Sequence, residues 1–410
     1  NFGVLDQAFI DAAVAAGHEH IDDFNGPCRT GVARVDSTVS KGVRQSSAIA
    51  YLGRKRSNLA LLTNRQVARV RIKNGRAHAV ETVSGEVISA RQEIILCQGA
   101  FGTPQLLMLS GIGPAEHLRD HGIAPIVDLP GVGENLADHV DVSIQYGSHF
   151  AEFSHARHQR LDRAATLMAR WLMNGSGPGG GSLFSVVLFN AADDRELPET
   201  QVFMTPMIID ENLGNGGVEH TPLMQRFGRG LLVRGRKVAR PGVQIDINLE
   251  RPKSLGTVRL RDANPVSHPA IDPNFLSSPQ DIQELVTAVK DMRIVMQQPQ
   301  IAKYVTGEIG AWEGAQSDEE IVAAVRQTAY TGHHPCGTAR MGHDNDAGAV
   351  LDSQLRVRGV HGLRVCDAAA MPGQITGNLY ATVVAMAEKA ADMIAGKPPL
   401  RDSEHVQGAA

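Results

Sequence analysis

Apolar residues recur along the chain with two different spacings, which predict both helices and strands. Spacings of three and four residues predict helices at 4–16 and 278–297, and another helix from about Tyr380. Alternating and continuous apolar runs predict strands. The dipeptide Asn74-Gly75 between two such runs predicts a hairpin with a type I′ turn. We therefore expect a mixed fold, with α/β and α+β parts.

The predicted strands fall in two stretches of the chain. They are expected at 58–63, 67–72, 77–82, 87–90, 93–97, 140–147, 185–189, 199–209 and 242–249. A helix is expected to open at Thr103-Pro104, because proline is tolerated in a first helical turn. The polar stretch 149–163 is predicted to be a solvated loop. Its histidines lack the spacing of a metal site.

Composition excludes several classes of function. The chain has 410 residues, a net charge of −4 and scattered Lys and Arg, so no nucleic-acid partner is expected. Its four cysteines are widely spaced and imply no disulfide framework. No apolar run reaches the ~18 residues of a membrane span. We expect no transmembrane segment and a cytoplasmic location.

One stretch near the C-terminal end has the character of a catalytic loop. It holds adjacent His333 and His334 before Pro335, with Gly337 and Gly342 following. Proline fixes its own φ and keeps His334 out of the α region, while the glycines permit tight backbone geometry. A histidine held in this way can exchange protons with a substrate near neutral pH.

A second stretch predicts a ligand-binding strand–loop–helix unit. A buried strand ends in Asp367, a loop rich in Gly and Pro follows, and a helix begins near Tyr380. Such a unit points the free N–H groups of the helix N-terminus at whatever lies above the end of the strand. An anionic or electron-rich ligand is favoured there.

These two stretches, together with a third from Gly99 to Gly113, resemble the signatures of the glucose-methanol-choline (GMC) family of flavin oxidoreductases. The likeness is greatest to the choline dehydrogenase and alcohol oxidase branch. It implies an FAD-binding Rossmann-like domain with an inserted antiparallel-sheet substrate domain. The domains are expected at 1–138 (FAD-binding, first part), 139–325 (substrate-binding) and 326–400 (FAD-binding, returning part), with a tail at 401–410.

No Gly-x-Gly-x-x-Gly lies between a predicted strand and a predicted helix, although that turn normally cradles a dinucleotide pyrophosphate. The chain also begins at Asn1. We therefore expect a fragment whose FAD-binding domain is incomplete at the N-terminus.

The resemblance assigns roles to individual residues. His334 matches the catalytic histidine, which takes or shares the hydroxyl proton while hydride passes from carbon to flavin N5. Asn378 matches the first catalytic-loop asparagine, and Tyr380 stands where the family has a second Asn or His. The residues expected beside FAD are Val67, Gly99, Ala100, Asp367, Ala368, Asn378, Leu379 and Thr382.

The resemblance also implies the reaction and its partners. It implies FAD-dependent oxidation of a primary or secondary alcohol to an aldehyde or ketone. The partners are a small-molecule alcohol and an electron acceptor, which is dioxygen, a quinone or a cytochrome. Two alternatives stay open: a hydroxynitrile-lyase-like enzyme on the same fold, and an inactive fragment without FAD.

Two side chains have two interpretations each. Tyr380 either orients the alcohol through its hydroxyl or packs at the start of a helix. We interpret His139 as a hydrogen-bonded structural histidine, with a substrate contact as the other reading.

Overall fold

The computed structural model describes residues 2–26, 28–53, 56–159, 161–177, 180–182, 184–191, 197–209 and 239–398. The chain divides into two compact units. The first consists of Asn1–Ala60, Val140–Arg251 and Ser278–Gly332; the second consists of Leu61–His139, Pro252–Ser277 and His333–Ala410. Residues 1–60 thus group with the middle of the chain, whereas the predicted boundary placed them with 61–138. The roles expected of the domains remain predictions.

The predicted long helices are present, and their ends follow from local chemistry. Ser317 and Glu320 form a capping box, in which each side chain accepts a hydrogen bond from the other residue's backbone N–H. Gly17, with φ of +106°, follows the first helix. The helices of the described residues are Val4–Ala15, Ser47–Leu52, Gly99–Leu109, Ala115–Asp120, Leu161–Asn174, Pro279–Met296, Pro299–Ala302, Asp318–Thr328 and Leu379–Ile394.

Short strands account for the rest of the regular structure in the described ranges, apart from three 3₁₀ turns at His155–Gln159, Gly310–Trp312 and Ala368–Ala370. The strands are Gly31–Arg34, Val39–Ser40, Val43–Arg44, Val67–Lys73, Arg76–Thr82, Val87–Ser89, Ile94–Leu96, Ile112–Gly113, Val127–Asp128, Val140–Gly147, Val186–Asn190, Thr200–Thr205, Ile208–Ile209, Ala239–Arg240, Gly242–Leu249, Thr257–Arg259, Ala270–Asp272, Gly307–Ile309, Tyr330–Thr331 and Leu363–Val365.

The first unit is built on an antiparallel sheet, as the alternating pattern of the middle region predicts. Its central strands are Val140–Gly147 and Gly242–Leu249, paired in register from Val140↔Leu249 to Gly147↔Gly242. Because side chains alternate along a strand, one face carries buried aliphatic residues such as Ile144 and Ile245. The helix Pro279–Met296 contacts the strand Gly242–Leu249.

The opposite face of this sheet is polar and also buried. Asp246 lies opposite Ser143 in the register, and its Oδ1 accepts hydrogen bonds from Ser143, from Gln244 Nε2 at 2.8 Å and from the Tyr330 hydroxyl at 3.2 Å. Burial raises the pKa of the Asp246 carboxyl, and these donors oppose that rise. The network gives the buried carboxyl hydrogen-bond partners that an apolar face could not offer.

The second unit contains the predicted hairpin and a parallel strand pair. Val67–Lys73 and Arg76–Thr82 are joined through Asn74 and Gly75, both with positive φ, as a type I′ turn requires. Ile94–Leu96 pairs with Leu363–Val365 in parallel. A core of buried aliphatic residues that includes Leu107 and Val365 packs these elements together.

The helix predicted to open at Thr103-Pro104 instead begins at Gly99, so that Pro104 lies inside it. Proline has no N–H, and the helix therefore lacks the bond that residue 104 would donate to the Ala100 carbonyl. The Thr338 hydroxyl donates to that oxygen at 2.6 Å and replaces the missing bond. Because this partner is more than 200 residues away in sequence, the local rule for proline gave the wrong helix start.

Three other local predictions were wrong or incomplete. Residues 58–63 form no strand, and Leu61 is 69% exposed, so the apolar run there is not part of a sheet. The stretch 149–163 includes a 3₁₀ turn and the start of the helix Leu161–Asn174. The run 199–209 is interrupted at 206–207 and forms two strands. Among the described residues, no helix is both long and apolar enough to cross a bilayer.

Candidate active site

The backbone of the His334 loop is held from both sides. His334 N–H donates to Asp138 Oδ1 at 2.8 Å, and its carbonyl accepts from Gln374 Nε2 at 3.0 Å. The preceding residue, His333, has φ of +62°, a left-handed conformation that is uncommon for a side chain of this size. These contacts fix the position of the backbone from which the His334 imidazole projects.

The His334 ring lies in a row of hydrogen bonds. Its Nδ1 is 2.9 Å from Nδ1 of His139, and its Nε2 is 3.0 Å from Nδ2 of Asn378. His139 is fully buried, and its Nε2 is 2.9 Å from the carbonyl oxygen of Ile375. His139 is therefore the hydrogen-bonded structural residue that its sequence context predicts, and it contacts the predicted catalytic histidine.

The carbonyl at the end of this row fixes the positions of the protons. A carbonyl can only accept, so His139 Nε2 carries the proton that it donates to Ile375. In a neutral His139, Nδ1 then accepts, and His334 Nδ1 must be the donor. In a neutral His334, Nε2 is left with a lone pair, which accepts from the Asn378 amide. A single placement of the protons on two neutral rings therefore satisfies every contact.

The surroundings of His334 keep its ring neutral. Burial, reinforced by His139 and His333, lowers the pKa of His334 to about 4. A group with this pKa is uncharged throughout the neutral range and presents Nε2 as a proton acceptor.

Gly337 allows the loop to turn where no other residue fits. Its φ is +85°, and a Cβ at this position would lie 2.5 Å from the Asn135 carbonyl oxygen. Its N–H donates to the Ala368 carbonyl at 3.1 Å. The His334 loop is thereby joined to the segment that follows Asp367.

Asp367 joins the second and third sequence motifs. Its Oδ2 accepts from Gly99 N–H at 2.9 Å and from the Thr103 hydroxyl at 2.6 Å, and its Oδ1 accepts from Ala369 N–H at 2.8 Å. Burial raises the pKa of this carboxyl, while these donors favour its charged form. The strand ends at Leu96 and Val365 are thus tied at the start of the helix Gly99–Leu109.

Comparison with known proteins identifies the family. The family model described as GMC oxidoreductase matches residues 2–141 with its N-terminal part and residues 252–387 with its C-terminal part. The chain belongs to the GMC oxidoreductase family. It is an FAD-dependent alcohol oxidoreductase.

Relatives in sequence cover nearly the whole chain. Oxygen-dependent choline dehydrogenase of Klebsiella pneumoniae is 37% identical over 405 residues, which are 97% of this chain and 69% of the relative. The enzyme of the same name from Escherichia coli O17:K52:H18 is 36% identical over 405 residues, 97% of this chain and 68% of the relative.

Solved structures show the same fold. A variant of formate oxidase from Aspergillus oryzae RIB40 superposes with a TM-score of 0.82 at 26% identity, covering 96% of this chain and 70% of the other. Pyridoxine 4-oxidase from Mesorbium loti superposes with a TM-score of 0.77 at 26% identity and the same coverage. The predicted mixed fold with antiparallel sheets is confirmed.

The GMC motifs of this chain provide a place for part of the FAD cofactor. Asn378 precedes the helix Leu379–Ile394, and the N-terminus of a helix carries a partial positive charge that favours electron-rich groups. At Gly99 and Gly377 nothing lies within 4 Å of an added Cβ, which leaves room for a planar ligand against the backbone. These features fit an electron-rich group such as FAD, which the first turn of that helix and the Gly99 segment would hold.

The predicted site residues of the GMC chain fall in two places. His334 and Asn378 are in contact, and Ala368 and Leu379 share a small core cluster with Cys336. Thr382 follows on the same helix. The side chain of Tyr380, in that helix's first turn, is 45% exposed.

The other predicted cofactor residues lie in other elements. Gly99 and Ala100 begin the helix that contacts Asp367. Val67 starts the first hairpin strand and packs against the larger core cluster. Each of these roles beside FAD remains a prediction.

Sequence reasoning missed three supporting side chains of this GMC site. They are Thr103 on Asp367, Thr338 on Ala100, and Gln374 on the His334 carbonyl. Thr103 stands next to Pro104, and Thr338 lies four residues after His334 in the loop, so each was within a recognised motif. Neither spacing nor composition indicates which hydroxyl reaches which distant backbone atom.

Proposed function

We propose that this protein oxidises a primary or secondary alcohol to an aldehyde or ketone and that His334 Nε2 takes the hydroxyl proton. The observation that carries this proposal is the hydrogen-bond row from Ile375 through His139 and His334 to Asn378. In this row the lone pair of His334 Nε2 faces the Asn378 side chain. It needs a hydrogen-bond donor, which a substrate hydroxyl can supply.

The substrate hydroxyl is a donor of the same kind as the Asn378 amide. On binding, the hydroxyl takes the place of that amide at Nε2. The amide then donates to the alcohol oxygen and stabilises the negative charge that develops there. Bound FAD supplies the hydride-accepting group. The protein's part is to hold the hydroxyl and remove its proton.

His139 supports the base without touching the substrate. As His334 gains a proton at Nε2, it keeps the Nδ1–H that donates to His139. The ring then becomes an imidazolium that is still hydrogen-bonded at Nδ1, and neither ring has to rotate during proton transfer.

We propose dioxygen as the electron acceptor. The names of the relatives support this choice, since the choline dehydrogenases are described as oxygen-dependent and the structural neighbours include two oxidases. Hydrogen peroxide is then the second product. Consumption of oxygen at the rate of alcohol turnover tests this part of the proposal.

An anaerobic experiment tests the reaction type. The protein is loaded with a saturating excess of FAD, freed of oxygen and mixed with a panel of primary and secondary alcohols. Loss of the oxidised flavin absorbance together with aldehyde or ketone formation supports the proposal. Cleavage of cyanohydrins without any change in flavin absorbance would favour the lyase instead.

A further inference from the structure

Two free cysteines lie side by side at the ends of neighbouring strands. The parallel register runs through Leu363↔Ile94 and Val365↔Leu96, and the next residues are Cys366 and Cys97. Cys366 N–H donates to the Leu96 carbonyl at 2.8 Å, which is the parallel-ladder bond of a residue opposite Cys97. The pairing therefore continues one step beyond the assigned strands.

The spacing of Cα atoms across this register lies within the range of a disulfide. Neighbouring strands are about 4.8 Å apart, and a disulfide joins Cα atoms about 4.4–6.8 Å apart. Opposed residues project from the same face of a sheet, and here the preceding pair, Leu96 and Val365, is buried on the other face. Cys97 is exposed and Cys366 half-buried, so a small reagent can reach the pair.

The electrostatics of the two thiols agree with this placement. Although Cys97 is exposed as a residue, partial desolvation of its thiol, together with the neighbouring Cys366 and Asp367, raises its pKa to about 11. Burial and Asp367 also raise the pKa of Cys366. Thiolate formation therefore limits the rate of any exchange reaction, which becomes faster as pH rises.

We propose that Cys97 and Cys366 form a redox-active dithiol that closes to an intramolecular disulfide with a low-molecular-mass disulfide as the oxidant. One thiol loses its proton and attacks the oxidant, which releases one reduced thiol and leaves a mixed disulfide. The second cysteine, deprotonated in turn, displaces the other half. Both cysteines are oxidised, the oxidant's disulfide is reduced to two thiols, and the two protons pass to the products.

The consequence is local to the segments that follow. Gly99 lies two residues after Cys97, and Asp367 directly follows Cys366. The Gly99 N–H donates a hydrogen bond to the Asp367 carboxyl. A disulfide would clamp the two strand ends immediately before that contact. The inference does not depend on the proposed oxidation of alcohols, because its test reads the state of the thiols and not turnover.

The test uses the 410-residue chain and oxidised glutathione at mildly alkaline pH. After quenching with acid and alkylation, trypsin gives a peptide 92–119 with Cys97 and a peptide 365–389 with Cys366. We expect these two peptides to be joined, with two reduced glutathiones released for each chain. Cys97→Ser and Cys366→Ser should each form no link, and the remaining thiol should keep one bound glutathione.

The matched control is Cys28→Ser, which removes a half-buried thiol elsewhere in the chain and should leave the link unchanged. Three results would overturn the inference. They are stable glutathione on Cys97 of the wild-type chain, a link from Cys97 to another cysteine or another molecule, and no link although maleimide labels Cys97.

Discussion

A single side chain, His334, carries the proposed chemistry, and its properties come from its neighbours. Burial lowers its pKa, and the Ile375 carbonyl sets the direction of every hydrogen bond up to its Nε2. The sequence motif places the histidine in the loop. The contact with His139 decides which nitrogen acts as the base.

The pH dependence of flavin reduction tests the state of His334. A base must be neutral to accept a proton, and burial disfavours its charged form, so the pKa lies at about 4 instead of the ordinary value of 6.5. We expect kcat/KM for alcohol to stay level as pH falls from neutrality and to decline only towards pH 4. A decline centred at the ordinary histidine value would contradict this, provided that circular dichroism shows a folded protein.

Two substitutions of His139 separate its positioning role from its packing. In His139→Gln, the side-chain oxygen can accept from His334 and the amide can donate to Ile375. In His139→Phe, the ring is kept but both bonds are lost. We expect the glutamine variant to stay close to wild type, and the phenylalanine variant to reduce flavin about tenfold more slowly, since about 1.4 kcal/mol corresponds to tenfold.

Nitrogen NMR of labelled histidines reports the tautomer of His334. A purely structural role of His139 would not change that tautomer. In the wild type, His334 should carry its proton on Nδ1, and in His139→Phe it should become a mixture of tautomers. An unchanged tautomer in the phenylalanine variant would show that His139 does not direct the proton.

At the scale of elements, the helix Gly99–Leu109 depends on a residue far away in sequence. Pro104 cannot donate to the Ala100 carbonyl, and Thr338 from the catalytic loop does so instead. The helix and the loop are therefore coupled by one hydrogen bond.

A double-mutant cycle measures this coupling. Thr338→Val leaves a buried carbonyl without its donor and should lower the free energy of unfolding by ~1–3 kcal/mol. Pro104→Ala restores an N–H at residue 104, so Thr338→Val should cost clearly less in that background. Equal costs in the two backgrounds, measured by urea unfolding, would show that the Thr338 hydroxyl does not replace the missing helix bond.

The same helix shows where prediction from sequence succeeds and where it fails. Periodicity gave the helices at Val4–Ala15 and Pro279–Met296 and the hairpin at Asn74-Gly75, because each depends on residues close together in the chain. The helix start at Gly99 was missed, since a distant hydroxyl makes an internal proline tolerable.

In the candidate site, too, local motifs were predicted and a contact between distant residues was missed. Motif likeness selected His334 and Asn378, which the structure brings together. It did not reveal that His139 contacts His334, because 195 residues separate the two histidines. No local pattern records such a contact.

At the scale of the whole molecule, we predict that the 410-residue chain offers only some of the contacts that a dinucleotide needs. The Gly99 segment and the first turn of the helix Leu379–Ile394 are present, while the sequence has no Gly-x-Gly-x-x-Gly that follows a strand and opens a helix. Without that turn, the pyrophosphate lacks its usual backbone donors.

We therefore predict that the 410-residue chain binds FAD weakly and loses it on desalting. Equilibrium dialysis should show saturable binding in excess FAD. Asp367→Ala should weaken this binding further, because the carboxylate organises Gly99 and Thr103. Stoichiometric FAD that stays bound through desalting would contradict the prediction.

The proton-accepting role of His334 is tested by the rate of anaerobic flavin reduction by alcohol in His334→Ala, measured by stopped flow at saturating FAD. We predict a rate about 100-fold or more below wild type, the scale of general base catalysis. We also predict a nearly normal rate for His333→Ala, the exposed neighbour in the same loop. Equal rates for His334→Ala and wild type would show that His334 does not take the proton.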